Sequence, residues 1–318
     1  MRFLVTGARG FIGHHLVNAL LEAGHRVVGF DLEATPAAGS GLSPVSGDIR
    51  ELGRVLSAMA GVDGVIHLAA VSRSGISEKN PYETICTNIL GTTNVLEAAS
   101  RSEPHPWVIV ASSRVVCDYE AGLAANQEGI YTLSKDVADR LLRYYARRYG
   151  IMGLSLRFSD VYGSVEPTMG RILTEFLLQA LKGDALRVDK ANMPFDFIHI
   201  RDIVRGIFLA ADYLEKNRHS IGLSAGFFEA LSFASGRHIN AEILANIIVG
   251  VTSSQSDIEI LDRSEIFPPL IDYTEQAFEK LGFRANISLE EGLCEMVEFI
   301  LKETLNAAPQ PATKPGIV

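Results

Sequence analysis

The segment that most constrains the fold is VTGARGFIGHHL, residues 5–16, in which three glycines recur at intervals of three. The apolar run before them, Arg2 to Val5, predicts a buried strand. The residues after them, Ile12 to Ala23, carry apolar side chains at helical spacing and predict a helix. The glycines therefore occupy a strand-to-helix turn, where a phosphate group can bind exposed backbone N–H groups.

Short apolar runs and helical patterns alternate through the first half of the chain. The predicted strands after the first are Arg26–Asp31, Gly64–Ala70, Trp107–Ala111 and Leu154–Phe158. The predicted helices between them are Ile49–Met59, Glu83–Ser100 and Tyr131–Tyr149. Such alternation is typical of a parallel sheet covered by helices on both faces. The sequence thus predicts an α/β fold, with a doubly wound parallel sheet in residues 1–162.

The pattern becomes mixed after about residue 163. The predicted elements there are a strand at Asp196–Ile200 and helices at Ile172–Leu181, Ile203–Leu214, Ile239–Val251 and Leu289–Leu301. We expect a smaller mixed α/β lobe over residues 163–305, partly interleaved with the first domain. Residues 306–318 are rich in proline and alanine, and we expect them to be disordered.

Composition and charge exclude several classes of protein. Of the 318 residues, 47% are hydrophobic and 21% are charged, which is typical of a globular protein with a sizeable core. The formal net charge is -9 without a basic cluster, so we expect no nucleic-acid partner. No run approaches the ~18 consecutive apolar residues of a membrane helix, so we expect no membrane association. Because the first residues already form the strand that leads into the glycine turn, we also expect no signal peptide.

The cysteines give no sign of a metal site. Cys86, Cys117 and Cys294 are scattered, and no Cys-x-x-Cys or Cys/His spacing occurs. We therefore expect no bound metal and a reducing, cytoplasmic location.

An acidic residue supports a dinucleotide at the glycine turn. Asp31 ends the second predicted strand, 18 residues after Gly13, where a carboxylate meets the hydroxyls of the adenosine ribose. Its charge repels a ribose phosphate and favours NAD over NADP, although Arg9 suits either cofactor. The alternative is a tight turn without a ligand.

Other segments offer weaker signals for the same cofactor. Asp48 and Ile49 follow the expected third strand, where contacts to adenine occur, but Asp48 also suits a helix N-cap. His67 is better explained as a core histidine on a buried strand than as a catalytic group. The small residues Ala69 and Ala70 allow backbone to approach a dinucleotide.

The candidate catalytic pair is Tyr131 and Lys135. They are four residues apart at the start of a predicted helix, so both side chains extend from one face. A free tyrosine has a pKa of about 10, and a nearby ammonium favours its phenolate form. Tyr131 is thus a candidate base for a substrate hydroxyl, and Lys135 can also hold the nicotinamide ribose. The alternative is an exposed helix start with a solvated lysine.

Two serines strengthen the catalytic interpretation. Ser112 and Ser113 follow the predicted strand Trp107–Ala111, at the carboxyl end where ligands bind such sheets. Ser113 can hydrogen-bond the reacting oxygen and orient Tyr131. The alternative is that both are ordinary loop or cap serines.

Together these residues resemble the extended short-chain dehydrogenase/reductase family, in its NAD-dependent epimerase/dehydratase branch. The resemblance extends from residue 1 to about 303. It rests on Thr6–Gly13, Asp31, Gly47–Arg50, His67–Ala70, Asn80-Pro81, Asn88–Ala99, Ser112-Ser113, Tyr131–Lys135, Leu156–Phe158, Val161–Gly163, Asp196–Asp202 and Leu289–Leu293.

The resemblance implies a Rossmann domain that binds NAD, a C-terminal substrate lobe and catalysis by Ser113, Tyr131 and Lys135. The substrate is usually a nucleotide sugar. The implied cofactor residues are Gly7, Gly10, Phe11, Ile12, Gly13, Asp31, Asp48, Ile49, Leu68, Ala69, Ala70, Asn88, Ala111, Tyr131, Lys135, Phe158 and Val161. The implied substrate residues are Ser72, Ser113, Asp160 and Arg171. The family also forms homodimers through a four-helix bundle, here from Glu83–Ser100 and Tyr131–Tyr149.

Departures from the family pattern reduce the number of reactions that we expect this chain to catalyse. Sugar 4,6-dehydratases carry Asp-Glu directly after the catalytic serine or threonine, whereas this chain has Arg114-Val115. Neither residue is a general acid or base near neutral pH, so we expect no dehydratase chemistry. Cys117 lies too far along to match the cysteine of reductive GDP-sugar epimerases.

Two further departures concern the substrate. Asp160 replaces an asparagine that contacts a nucleotide diphosphate, and a carboxylate there repels a diphosphate unless it is paired. Phe195 replaces an arginine of the diphosphate clamp. Arg171 or Arg263 can substitute for it, although each is also explained as a solvated surface arginine.

Three hypotheses follow. The first is an NAD-dependent epimerase of a sugar or nucleotide sugar that works through a transient keto intermediate. The second is an NAD-dependent dehydrogenase or reductase of a sugar, sugar acid or other hydroxylated small molecule. The third is a non-catalytic NAD-binding scaffold, which the complete Ser113, Tyr131 and Lys135 set disfavours.

Overall fold

The computed structural model describes residues 1–34, 40–72, 74–123, 129–163, 172–218 and 226–307. The strands are β1 (Arg2–Thr6), β2 (Arg26–Asp31), β3 (Leu42–Ser46), β4 (Gly64–His67), β5 (Trp107–Ser113), β6 (Met152–Phe158), β7 (Asp160–Tyr162), β8 (Leu186–Val188), β9 (Pro194–His199), β10 (Phe227–Phe233), β11 (His238–Asn240) and β12 (Ile258–Ile260).

The helices cover the intervening segments. They are α1 (Phe11–Glu22), α2 (Leu52–Ala58), α3 (Ser74–Lys79), α4 (Pro81–Ile85), α5 (Gly91–Ser100), α6 (Arg114–Glu120), α7 (Ile130–Tyr149), α8 (Ile172–Lys182), α9 (Ile200–Asn217), α10 (Ala241–Thr252), α11 (Thr274–Leu281) and α12 (Leu289–Ala307). A π-helical turn, Cys86–Leu90, joins α4 to α5.

A seven-stranded parallel sheet forms the centre of the first compact unit. Its strand order is β10-β6-β5-β4-β1-β2-β3, and every neighbouring pair is parallel. The order reverses between β1 and β4, which places the ligand-binding crevice outside the carboxyl ends of these strands. The expected doubly wound α/β fold is confirmed.

Both faces of the sheet are buried, which explains why its strands read as apolar runs. On one face, Phe3 belongs to a core that includes Leu16 of α1 and Ile207 of α9. On the other face, Leu4 packs in a second core with Leu96 of α5 and Leu142 of α7. The sheet therefore lies between two helical layers that bury both of its faces.

The first unit comprises residues 1–162, 196–238 and 268–286. The second unit comprises residues 163–195, 239–267 and the chain from residue 287 onward. In the second unit β8 and β12 pair in parallel, and α10 packs against α8 and α12. Helix α12 extends through Ala307, so the first two residues of the expected disordered tail are helical. Residues 308–318 lie outside the described residues.

The boundaries of several elements differ from their predictions. The strand expected at Gly64–Ala70 ends at His67, and the helix expected at Ile49–Met59 begins only at Leu52. The segment expected to be one helix from Ile239 is the end of β11 followed by α10. Strand β10 has no counterpart among the predicted elements, because Glu229 and Ser232 interrupt its apolar pattern.

No helix in the described part of the chain combines the length and apolar character needed to cross a bilayer.

Candidate active site

The glycine turn is held so tightly that side chains cannot fit into it. Gly7 has a φ of +71°, and a Cβ there would lie 2.7 Å from the backbone nitrogen of Ala69. A Cβ on Gly13 would lie 2.0 Å from the carbonyl oxygen of Gly7. The Gly7 N–H donates to the carbonyl of Phe30 at 2.9 Å. The turn is thus packed backbone against backbone between β1, β2 and the loop after β4.

The N-terminus of α1 is open to an anion. Gly10 is the N-cap residue, and no side chain caps the helix. The Gly10 N–H donates to Gly7 O at 3.0 Å, and the His14 N–H donates to Gly10 O at 2.8 Å. The N–H groups of the three residues in between, 11–13, belong to the first helical turn and have no intrahelical acceptor. They fit the pyrophosphate of a dinucleotide.

The carboxylate of Asp31 is fixed beside this turn at the carboxyl end of β2. Its Oδ2 accepts from the backbone N–H of Arg9 at 2.8 Å, and its Oδ1 accepts from that of Leu32 at 2.8 Å. The guanidinium of Arg9 pairs with Glu33. A fixed carboxylate and a neutralised arginine suit ribose hydroxyls rather than a ribose phosphate.

Asp48 does not cap a helix. Glu51 occupies the N-cap position of α2, and the Asp48 carboxylate accepts from the backbone and side chain of Arg50, at 2.8 Å each. The hydrogen bond from the Arg50 side chain holds the pKa of Asp48 below its usual range. Ile49 is buried, and its carbonyl accepts from Asn94 at 2.9 Å. The loop after β3 is therefore held by its own residues Asp48 and Arg50 and by Asn94 of α5.

His67 is a core histidine, as predicted. It is buried, with Nδ1 2.7 Å from the hydroxyl of Thr6 and Nε2 3.0 Å from that of Thr92. Burial lowers its pKa to about 3, with a smaller contribution from the charge of Lys135. The imidazole is therefore neutral and ties β1 and β4 to α5. The N–H of Ala69 also donates to Thr6 Oγ1, at 3.3 Å.

Asn88 holds the loop after β4 against α7. Its Oδ1 accepts from the N–H of Val71 at 2.8 Å, and its Nδ2 donates to Val71 O at 3.1 Å. Nδ2 also donates to the hydroxyl of Ser134 at 2.9 Å. The buried amide thus fixes the backbone that leads into the expected cofactor and substrate residues Ala70 and Ser72. Ser72 itself is exposed.

The candidate catalytic residues come from β5 and the first turns of α7. Ser113 is the last residue of β5, and Tyr131 and Lys135 lie on α7. Lys135 is buried, its Nζ donates to Ala111 O at 2.9 Å, and this atom lies 5.9 Å from the centre of the Tyr131 ring. Burial lowers the pKa of Lys135 to about 8, against the charge of Asp139.

Asp139 is a supporting residue that the sequence analysis did not identify. Its carboxylate accepts from Ser155 Oγ at 2.5 Å and from Arg157 Nε at 2.9 Å. Its charge favours the ammonium form of Lys135, which lies one turn earlier on α7. The spacing of four residues was the available signal, but only the fold places Arg157 beside it.

The segment that begins directly after Ser113 carries Arg114 and Val115, neither of which is a general acid or base near neutral pH. It forms α6, in which Arg114 Nη1 lies 2.6 Å from Asp118 Oδ2. Burial raises the pKa of Asp118, and the charge of Arg114 opposes that effect. Cys117 is buried against the hydroxyl of Ser232, with 3.3 Å between sulfur and oxygen.

Each expected substrate residue that the structure describes has its own local surroundings. Oδ2 of Asp160 accepts from the backbone N–H of Asp196 at 3.2 Å, so the carboxylate is hydrogen-bonded. Phe195 is buried, and Arg263 forms a two-pronged ion pair with Glu242, at 2.6 and 2.8 Å. Arg171 lies outside the described residues.

Four of the expected cofactor residues lie in the two hydrophobic cores: Ile49, Ala111, Phe158 and Val161. Phe158 is buried with its ring centre 6.0 Å from that of Phe233, and Val161 is buried in the same cluster. Little of either residue is therefore exposed to a cofactor. Phe11, Ile12 and Leu68 are half-buried and pack against that core.

Comparisons with known proteins identify the family to which the chain belongs. The profile of the NAD dependent epimerase/dehydratase family matches residues 3–223. A 3-beta-hydroxysteroid dehydrogenase of Mycolicibacterium neoaurum is 30% identical over 67% of this chain and 61% of its own length. UDP-glucuronate 4-epimerase 4 of Arabidopsis thaliana is 28% identical over 94% of this chain and 75% of its own.

A solved structure, MoeE5 in complex with UDP-glucose and NAD, is 26% identical with a TM-score of 0.79. The match covers 96% of this chain and 100% of that one. The family is NAD-dependent, and the open α1 N-terminus and fixed Asp31 carboxylate fit that cofactor. The chain therefore belongs to the NAD-dependent epimerase/dehydratase family.

Proposed function

We propose that this protein is an NAD-dependent epimerase of a nucleotide sugar, with Tyr131 as the base. The observation that carries the proposal is that Ser113 ends β5, that Tyr131 and Lys135 lie on the first turns of α7, and that Arg114 and Val115 follow Ser113 in place of an acid–base pair for dehydration. The similarity to UDP-glucuronate 4-epimerases and to MoeE5 supports a nucleotide sugar as the substrate class.

Each residue of the site has its own proposed role in the reaction. Tyr131 removes the proton of a sugar hydroxyl while Lys135, held at Ala111 O, favours the phenolate form through its charge. Ser113 donates a hydrogen bond to the reacting oxygen. NAD, held at the α1 N-terminus and beside Asp31, would supply the hydride acceptor and donor for this reaction. Ser72, Asp160 and Arg171 are the proposed contacts to the substrate.

The test begins with the cofactor that is released when the purified protein is denatured. Fresh protein is then incubated with UDP-glucose, UDP-glucuronic acid and free sugar acids, while NADH absorbance and products are followed together. An epimerase retains NAD and isomerises a sugar without accumulating NADH. Isotope-labelled substrate that loses its label from the epimerised carbon in a single turnover would contradict internal hydride return.

A net dehydrogenase is the second candidate. The similarity to a 3-beta-hydroxysteroid dehydrogenase and the replacement residues Asp160 and Phe195 favour it. This enzyme would produce NADH in step with oxidised product and would exchange its cofactor. The same incubation, extended to hydroxysteroids, separates the two candidates.

We also propose a cytoplasmic homodimer. The location rests on the unpaired cysteines, and the dimer on apolar side chains exposed on α4 and α7: Tyr82 (75%), Leu133 (49%) and Tyr144 (56%). Leu133→Glu should convert a dimer to a monomer in light scattering after size exclusion. The matched control is Ile266→Glu, at a residue 92% exposed on another segment. A protein that is monomeric before mutation would contradict the proposal.

A further inference from the structure

Helix α7, which carries Tyr131 and Lys135, begins without a cap of its own. Its N-cap residue is Gly129, which has no side chain to accept from the first turn, and that turn contains no acidic residue. The Leu133 N–H donates to Gly129 O at 3.1 Å. The N–H groups of residues 130–132 therefore need acceptors from outside the helix, and the helix dipole favours a negative charge at this end.

The carboxylate of Glu78, on α3, supplies one of these acceptors. Its Oε1 accepts from the backbone N–H of Ile130 at 2.8 Å, although the two residues are 52 positions apart in the chain. Helix α3 contacts α7 within the same compact unit, and Ser77 beside Glu78 is buried. The acceptor is thus delivered to the start of α7 by a packed helix.

Gly129 makes room for this carboxylate. Its φ of -82° and ψ of 158° lie in the extended region that any residue adopts, so the backbone does not itself require glycine. A Cβ at this position would lie 2.4 Å from Glu78 Oε1 and 3.4 Å from Glu78 Cδ. Apart from neighbours in the chain, no other atom of the described residues lies within 4 Å of that position. A side chain there would therefore displace the Glu78 carboxylate and little else.

Tyr131 lies between two contacts that hold the first turn of α7. On its C-terminal side, Asn88 Nδ2 donates to Ser134 Oγ at 2.9 Å, and that hydroxyl donates to Tyr131 O at 2.7 Å. On its N-terminal side, Glu78 holds Ile130, the residue directly before it. Loss of the Glu78 contact would leave the turn held on one side of Tyr131 only.

We propose that Glu78 is a positioning residue for Tyr131. Its carboxylate fixes the first residue of α7 and thereby the place of the phenol relative to Lys135. This inference rests on the proposed function, in which Tyr131 is the base. Glu78 acts through its hydrogen bond and not through its charge, because a negative charge beside Tyr131 disfavours the phenolate form.

The experiment compares variants of the full-length protein, purified with its cofactor, on the UDP-sugar that it epimerises. Glu78→Ala removes the acceptor, and kcat should fall about tenfold with KM and NAD content unchanged, because a displaced base attacks less often. Glu78→Gln retains an oxygen that can accept from Ile130, so its kcat should stay within about twofold. Lys79→Ala, at an exposed neighbour on α3, is the matched control and should leave kcat unchanged.

Gly129→Ala tests the same contact from the other side. The added Cβ should displace the carboxylate and lower kcat about as much as Glu78→Ala does. In the double variant that Cβ meets no carboxylate, so kcat should be no lower than in either single variant. Amide exchange at the start of α7 should quicken in Glu78→Ala and Gly129→Ala but not in Glu78→Gln. Losses that add in the double variant would overturn the proposal.

Tyr131→Phe, measured beside these variants, separates two kinds of failure. If Tyr131→Phe kept its turnover, the assignment of the base would be wrong, and the role of Glu78 would be overturned with it. If Tyr131→Phe lost turnover while Glu78→Ala kept its kcat, only the role of Glu78 would be overturned. Equal losses in Glu78→Gln and Glu78→Ala would also overturn it. Thermal unfolding checks that each variant is folded, and a less stable Glu78→Ala with unchanged kcat would assign Glu78 to stability alone.

Discussion

The glycine turn and the surroundings of Asp160 are constructed in opposite ways. The turn is made of backbone atoms within seven residues, from Gly7 to Gly13, and its function requires that side chains be absent. Asp160 depends on side chains and on a distant segment: its carboxylate accepts from Asp196, 36 residues later. The carboxylate of Asp196 in turn accepts from the backbone of Ser235 at 2.8 Å.

This difference explains why one site identifies a family and the other does not. The glycine turn can bind any dinucleotide through its backbone N–H groups. It tolerates almost no substitution, because a Cβ at its glycines meets backbone atoms. A site of side chains can exchange asparagine for aspartate, or arginine for phenylalanine, without loss of the fold. We therefore expect lesions in the turn to abolish cofactor binding and lesions near Asp160 to shift substrate affinity only.

The largest effect is expected from Gly13→Ala. The added Cβ would lie 2.0 Å from Gly7 O and 3.0 Å from Ala8 Cα, so either the turn or α1 must move. We expect loss of bound NAD and of all activity, measured as cofactor released per chain after denaturation. The control is Gly53→Ala on α2, where a Cβ meets nothing within 4 Å. The Gly53→Ala variant should retain its NAD. An equal loss of NAD in this variant would contradict the special role of the glycine turn.

Tyr131→Phe should separate cofactor binding from chemistry. The substitution removes only the phenol oxygen, so we expect unchanged NAD content and turnover lower by about 10²–10⁴, the usual contribution of a general base. The control is Tyr144→Phe, on the same helix but exposed. If Tyr131→Phe retained more than a tenth of the turnover, Tyr131 would not be the base.

The sequence predicts those features whose causes are local. The glycine turn, Asp31 and the Tyr131–Lys135 spacing each lie within one element or turn, and the structure places them as expected. Features that depend on tertiary contact were missed. Strand β10 is recognised as a strand only through its pairing with β6. The support of Lys135 by Asp139 likewise needs Arg157, which comes from another strand.

The buried His67 should make the stability of the fold depend on pH. In the folded state its pKa is about 3, whereas an unfolded histidine titrates near 6.5, so below pH 6.5 protons bind preferentially to the unfolded chain. Stability from this residue is complete above pH 6.5 and is lost as the pH falls, by about 2 kcal/mol at pH 5. Denaturant unfolding at pH 7, 6 and 5 measures this loss. His67→Gln should flatten the dependence, and an unchanged slope would assign the effect to other groups.

The smallest effect is expected from Asp160→Asn, which restores the usual residue of the family. The asparagine oxygen still accepts from Asp196 N–H, so the local backbone is retained, and one negative charge is removed. We expect the KM for a UDP-sugar to fall about threefold with kcat unchanged, because repulsion of the diphosphate is relieved. Asp184→Asn, at an exposed carboxylate, should leave KM unchanged. If Asp160→Asn raised KM instead, Asp160 would be an acceptor for a substrate without a diphosphate, and the substrate site would have diverged from the family while the glycine turn stayed the same.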